Sequence, residues 1–151
     1  MLFRSYALYK KYNKNGENYI NNDEVITRMF FFNAESIAVC EGIYTYKYNE
    51  NSTTKKLNSN KHNMIKNSII LCKFVAKNDS VSSYLASRSL MSTIWGVVRY
   101  YLKNKVKLEN NKEWKQSISM GMQYIVEQNL FNQFDLKRKA QFLLVKILSY
   151  L

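Results

Sequence analysis

Residues 80–102, SVSSYLASRSLMSTIWGVVRYYL, carry apolar side chains at Val81, Tyr84, Leu85, Met91, Trp95, Val98 and Leu102. Their separations fall close to whole helical turns, which places them along one face of a long helix, and Asp79 or Ser80 supplies a capping side chain at its start. The same period continues on both sides. Before it, Ile65, Ile69 and Cys72 mark a helix ending near Asn78. After an interruption at Asn110 and Asn111, the stripe resumes at Trp114, Ile118, Gly121 and Ile125. Asp135 then caps a last segment, with Leu136, Ala140, Leu143, Ile147 and Leu151 on one side and Lys137, Arg138, Lys139 and Lys146 mostly around the other. The chain has no proline and only 4 glycines, so little interrupts these stretches.

The first third reads differently. Leu2, Tyr6 and Tyr9 have helical spacing, and the polar run from Asn13 to Asn18 ends that short helix. Asn21, Asn22 and Asp23 offer caps ahead of Glu24 to Asn33, where Val25, Met29 and Phe32 share a face. From Ser36 to Tyr48, Ile37, Val39, Ile43, Thr45 and Tyr48 favour strand, with Glu41-Gly42 as the turn between two short strands. Asn49 to Asn60 is a polar loop. The expected fold class is α+β and predominantly helical: a short helix, a second helix and two short strands, then about four amphipathic helices. The expected division is residues 1–58 and a basic helical region over 59–151.

With 151 residues and 46% hydrophobic content, the chain can build one real core, which excludes a disordered class. The net charge of +12 is unevenly spread: residues 1–60 hold 8 Lys/Arg against 6 Asp/Glu, and 61–151 hold 15 against 5. Such a surface attracts anionic membranes or nucleic acid through a salt-sensitive field. Lys and Asn each occur 18 times, however, as codon drift in an A/T-rich genome produces, and a solvated lysine surface is the plainer reading. Cys40 and Cys72 have no metal-ligand spacing and fit free thiols in a reducing cytosol. There is no secretory signal pattern, and the uncharged run Ser89–Val98 is closed by Arg88 and Arg99, far short of a membrane span.

Residues 19–54, YINNDEVITRMFFFNAESIAVCEGIYTYKYNENSTT, carry a resemblance. The opening LFRSYALYKKYN is similar to the segment before the catalytic acid in family-2 glycosyltransferases of the GT-A fold. Asn22-Asp23-Glu24 stands where those enzymes carry a Glu-Asp pair, with Arg28 and Ala34 along the next helix. The run Tyr44-Thr45-Tyr46-Lys47, followed by Asn51-Ser52-Thr53-Thr54, resembles their Tyr-Tyr-Tyr-Arg and Asn-Ser-Ile-Ser/Thr ending. About the first 56 residues are covered.

The resemblance implies that Asp23, with Glu24 as alternate, is the base that deprotonates the acceptor sugar hydroxyl during inverting transfer. A carboxylate at a helix start suits that role, because the helix holds it in position and its N-terminal end favours the ionised form. Asn22 departs from the usual Glu. The resemblance further places Asn22, Arg28, Tyr44, Tyr46, Lys47, Asn51, Ser52 and Thr54 at the acceptor or donor diphosphate. Each has a plainer structural reading: Asn22 or Asp23 as a helix cap, the tyrosines as strand packing, Arg28 as a solvated cation. His62, the single histidine, is expected at the surface.

The donor half of such an enzyme is not in this chain, which has no Asp-x-Asp, no Gly-rich βα turn and no parallel-strand series. No cofactor is therefore expected within it, although the complete enzyme would use a nucleotide-sugar with divalent Mg or Mn. The expected partners are the missing nucleotide-binding half, an anionic membrane surface at the cytoplasmic face and a second copy of the chain. The expected activity is transfer of a sugar to a polysaccharide or lipid-linked acceptor in building a bacterial surface polysaccharide, with this piece alone transferring nothing. Two alternatives stand beside it. One is a non-catalytic basic helical module on anionic membrane or nucleic acid, although no nucleic-acid signature is present. The other is an interaction domain whose stripes, Trp95 and Trp114 included, complete another subunit's core.

Overall fold

The computed structural model describes residues 22–38, 41–42, 57–77 and 80–148, with the side chains of residues 22–24 and 80 outside that description. The described chain is predominantly helical. Its helices are α1 (Asn22–Asn33), α2 (Met64–Val75), α3 (Ser80–Asn104), α4 (Asn111–Glu127) and α5 (Leu136–Leu148). Single 3-10 turns at Lys61–Asn63, Lys105–Lys107 and Leu130–Gln133 lead into or join them. The four helices expected after residue 60 are all present.

No strand occurs among the described residues: of the two expected between Ser36 and Tyr48, the described part of the first, Ser36–Ala38, is irregular, and residues 39–40 and 43–48, with the second strand, lie outside the described residues. Ser36–Ala38, Glu41 and Gly42 are irregular, and Ile37 is 62% exposed. Strand propensity stabilises only where a neighbouring strand supplies a ladder and a packed face, and the described residues supply neither to Ile37. Residues 1–21, 39–40 and 43–56 lie outside the described residues, and with them the expected first helix.

α3 is the central element. α2 lies along it, α4 and α5 pack on its other sides, and α1 covers α2. With 25 residues, about seven turns, α3 buries Ala86, Leu90, Met91, Ile94, Val97, Val98 and Tyr101. This corrects the stripe read from the sequence: Val81, Leu85 and Leu102 are exposed, and Trp95 is only half-buried. Neighbours on more than one side widen and rotate the buried surface beyond a single stripe.

Trp114 of α4 is fully buried and organises one end of the core. Its indole stacks between Tyr100 and Tyr101, with ring centroids 5.7 and 5.8 Å away, and His62 lies 5.3 Å off at a tilt. Gly121 permits the close approach of α4 to its neighbours. A Cβ there would stand 2.8 Å from Ile65 Cγ2 and 2.9 Å from Ile94 Cδ1, both on fully buried residues. Val25 and Met29 of α1 join the same apolar cluster.

The helix ends follow local chemistry. Asn129 adopts the left-handed conformation (φ 52°) just past α4, which asparagine tolerates better than most residues. Asp135 caps α5 as expected: the Arg138 backbone N–H donates to its Oδ1 at 2.9 Å, and the Lys139 N–H donates to its carbonyl. The burial of α5 departs from expectation. Phe142 and Val145 face the core, whereas Leu136 (88% exposed), Leu143 (52%) and Ile147 (62%) face outward. The stripe expected to be the buried side is the outer side. Among the described residues, no helix is long and apolar enough to cross a membrane.

Candidate functional site

α1 begins at Asn22, so the first turn of the helix is built from Asn22, Asp23 and Glu24, where the sequence places its caps and its acidic pair. Arg28, one turn after Glu24, is exposed and stands between two hollows. One, of about 50 Å³, is shared with Val25, Met64, Asn67 and Ser89. The other, of about 420 Å³, runs between α1, α2 and α3 and is lined by Phe31, Phe32, Leu71, Leu85 and Ser89. α1 is held there by Val25, Ile26 and Met29 beneath and by the edge-on contact of Phe32 with Phe74 of α2, 5.6 Å between centroids. Val25 and Arg28 thus line the smaller hollow, and the larger one lies along Arg28, Phe31 and Phe32 toward the end of α1. Tyr44, Tyr46, Lys47, Asn51, Ser52 and Thr54 lie outside the described residues.

The only histidine was expected at the surface and is instead 4% exposed. It sits in the 3-10 turn Lys61–Asn63, where the packing of Trp114 draws it inward. Its Nδ1 lies 2.8 Å from Ser117 Oγ, and its Nε2 lies 3.6 Å from Glu113 Oε2. Burial holds the imidazole below its usual range; Glu113 opposes that shift and Lys66 adds to it. Ser117 and His62 are 55 residues apart, so no local pattern announces the pair. A hydroxyl, an imidazole and a carboxylate in sequence invite comparison with nucleophilic triads, but Ser117 lies in the body of α4, where backbone N–H groups are consumed by the helix. No oxyanion donor pair is formed there, and the arrangement functions as a buried polar tie between the turn and α4.

A second polar cluster joins α3 to α5. Asp135 receives Arg88 Nη2 at 3.3 Å and Arg138 Nη1, and Arg138 Nε donates to the Arg88 carbonyl. The Arg138 backbone N–H, then the two guanidinium groups, hold the Asp135 carboxyl below its usual range.

A further concavity, of about 440 Å³, lies between α3, α4 and α5. Its walls include Tyr101, Leu102, Ile118, Met122, Phe142 and Val145, and Lys105, Lys115 and Lys146 border it. No local pattern in the sequence announces it, because its walls come from positions on three helices whose rotation only packing sets.

No family model matches the chain, and neither a curated protein nor a solved structure matches it significantly. Among the described residues, no three His, Cys, Asp or Glu side chains come together as a metal-holding group.

Proposed function

We propose that this chain is the acceptor-side part of a family-2 glycosyltransferase. In the complete enzyme it would position a sugar hydroxyl of a polysaccharide or lipid-linked acceptor for inverting transfer from a nucleotide-sugar. The observation that carries the reading is the ordered match of three segments: the opening helix-like run, the acidic pair at Asp23 and Glu24, and the Tyr44–Thr54 ending. The start of α1 at Asn22, about one turn before Val25 and Arg28, which line the small hollow, supports it. In this reading Asp23 accepts the hydroxyl proton, Glu24 is the alternate, and Arg28 steadies an anionic group near the cleft. Tyr44 and Tyr46 flank the acceptor, while Asn22, Lys47, Asn51, Ser52 and Thr54 serve the acceptor or the donor diphosphate.

The test is sugar transfer to membrane acceptors by this chain together with its nucleotide-binding half. Asp23→Asn is expected to lower the rate by about 10²–10⁴-fold, the usual contribution of a positioned general base, while the helical circular dichroism is unchanged. Full activity in both Asp23→Asn and Glu24→Gln would sink the reading.

A second reading, a basic helical module at an anionic membrane, is favoured by the outward apolar row Leu136, Leu143 and Ile147 of α5, set among Lys137, Lys139 and Lys146. It predicts salt-sensitive vesicle binding that Asp23→Asn leaves untouched.

A further inference from the structure

We infer that the groove between α3, α4 and α5 is a binding site for a single long-chain anionic amphiphile, with the aliphatic tail along the groove and a phosphate or carboxylate head at Lys105 and Lys115. The site stands apart from the transferase reading and its test measures binding, not transfer.

Three observations carry it. First, the walls are apolar and remain partly open to water: Leu102 and Val126, which both line the groove, are exposed. Apolar surface gathered in a concavity, rather than scattered, marks a ligand site. Second, the charged side chains in the lining are all lysines, with no Asp or Glu among them. Lys105 follows the end of α3 and Lys115 lies in the opening turns of α4, so the short connection between these helices brings both to one end of the groove. Of the uncharged polar residues further along, Ser119 and Gln123, the latter already donates to Glu127 at 2.7 Å. An apolar channel with cations at one end complements a molecule with a tail and a single anionic head.

Third, the size selects among occupants. At about 440 Å³ the groove falls within the roughly 300–1,000 Å³ of ordinary small-molecule pockets, the scale of one ligand with a single long tail.

The purified chain is titrated with dodecyl phosphate as monomer, with dodecanol as the neutral comparison, and with vesicles of phosphatidylglycerol in phosphatidylcholine. One dodecyl phosphate per chain is expected, bound more tightly than dodecanol. Lys105→Glu with Lys115→Glu is expected to weaken the phosphate about fivefold or more per lysine while sparing dodecanol. Val126→Asp, at an exposed position that leaves the core intact, is expected to weaken both by roughly tenfold or more. Lys77→Glu, on the last turn after α2, changes neither. Vesicle binding lost with the same substitutions identifies a bilayer lipid as the source, and monomer binding alone identifies a free amphiphile; both support the site. Equal affinity for dodecanol, insensitivity to the lysine and Val126 changes, or self-association that Val126→Asp abolishes would each overturn it.

Discussion

His62 shows how one side chain can couple folding to pH. In the native chain the imidazole is buried and neutral, with Ser117 on Nδ1, Glu113 facing Nε2 and Lys66 nearby. Its folded pKa lies below the ordinary value of about 6.5, so between those two values the unfolded chain binds a proton that the native chain does not. The stabilisation is therefore fully present above about 6.5 and is lost as pH falls toward the folded value. Denaturant unfolding should show a lower midpoint at pH 5 than at pH 7.5, and His62→Gln should flatten that difference. An unchanged slope in the variant would assign the pH dependence to other groups. Asp135 has the opposite sense: its folded carboxyl titrates low, so its contribution is present above the unfolded value and is lost as pH falls through the folded one. Asp135→Ala should lower the melting temperature by removing the cap on α5 and leaving Arg88 and Arg138 facing each other. None of these side-chain pairings except the Asp135 cap was legible in the sequence, because His62, Ser117 and Glu113 meet only after two helices have packed.

At the scale of elements, the two helical glycines make a matched pair. Gly96 lies exposed in α3, and an added methyl there meets nothing within 4 Å, so Gly96→Ala should stabilise by about 0.5–1 kcal/mol through helix propensity. Gly121→Ala gains the same propensity but drives a methyl into Ile65 and Ile94, and overpacking of this kind costs about 1–3 kcal/mol. Thermal melts of the two variants should move in opposite directions; a stabilised Gly121→Ala would mean that α4 can shift outward freely. Helix number and order after residue 60 were legible, because period and caps are local properties. The faces of α3 and α5 were not. Val81, Leu85 and Leu102 have the spacing of a buried stripe yet are exposed, and the α5 row Leu136, Leu143, Ile147 faces away from Phe142 and Val145, the side the core uses. An apolar row at helical spacing says that a face is hydrophobic, while the neighbours decide which of two such faces is covered.

Over the whole molecule, one cluster links α1 through α5, so the cost of losing its centre should be felt globally. Trp114→Ala removes the indole between Tyr100 and Tyr101 and should destabilise by about 3–5 kcal/mol, with loss of the near-ultraviolet circular dichroism that such stacked rings produce. Cys72 reports the same cooperativity. Burial pushes its thiol up to about 12, so in a Cys40→Ser background it should react with thiol reagents only through opening of the core, at a rate that rises with denaturant. Rapid reaction in native buffer would show that α2 detaches from α3 independently.

The amino-acid pattern alone determined that the chain is mostly helical, that four helices follow residue 60, that Asp135 caps the final one, and that an acidic pair stands at the start of α1. These follow from backbone propensity, capping and periodicity, which act over a few residues. Only the tertiary structure decided that His62 is buried against Ser117, that α5 turns its longer apolar row outward, and that three helices leave a lysine-ended groove between them. Those outcomes depend on which surfaces meet across tens of residues, and contact between distant segments is set by the packing of the whole rather than by any local stretch.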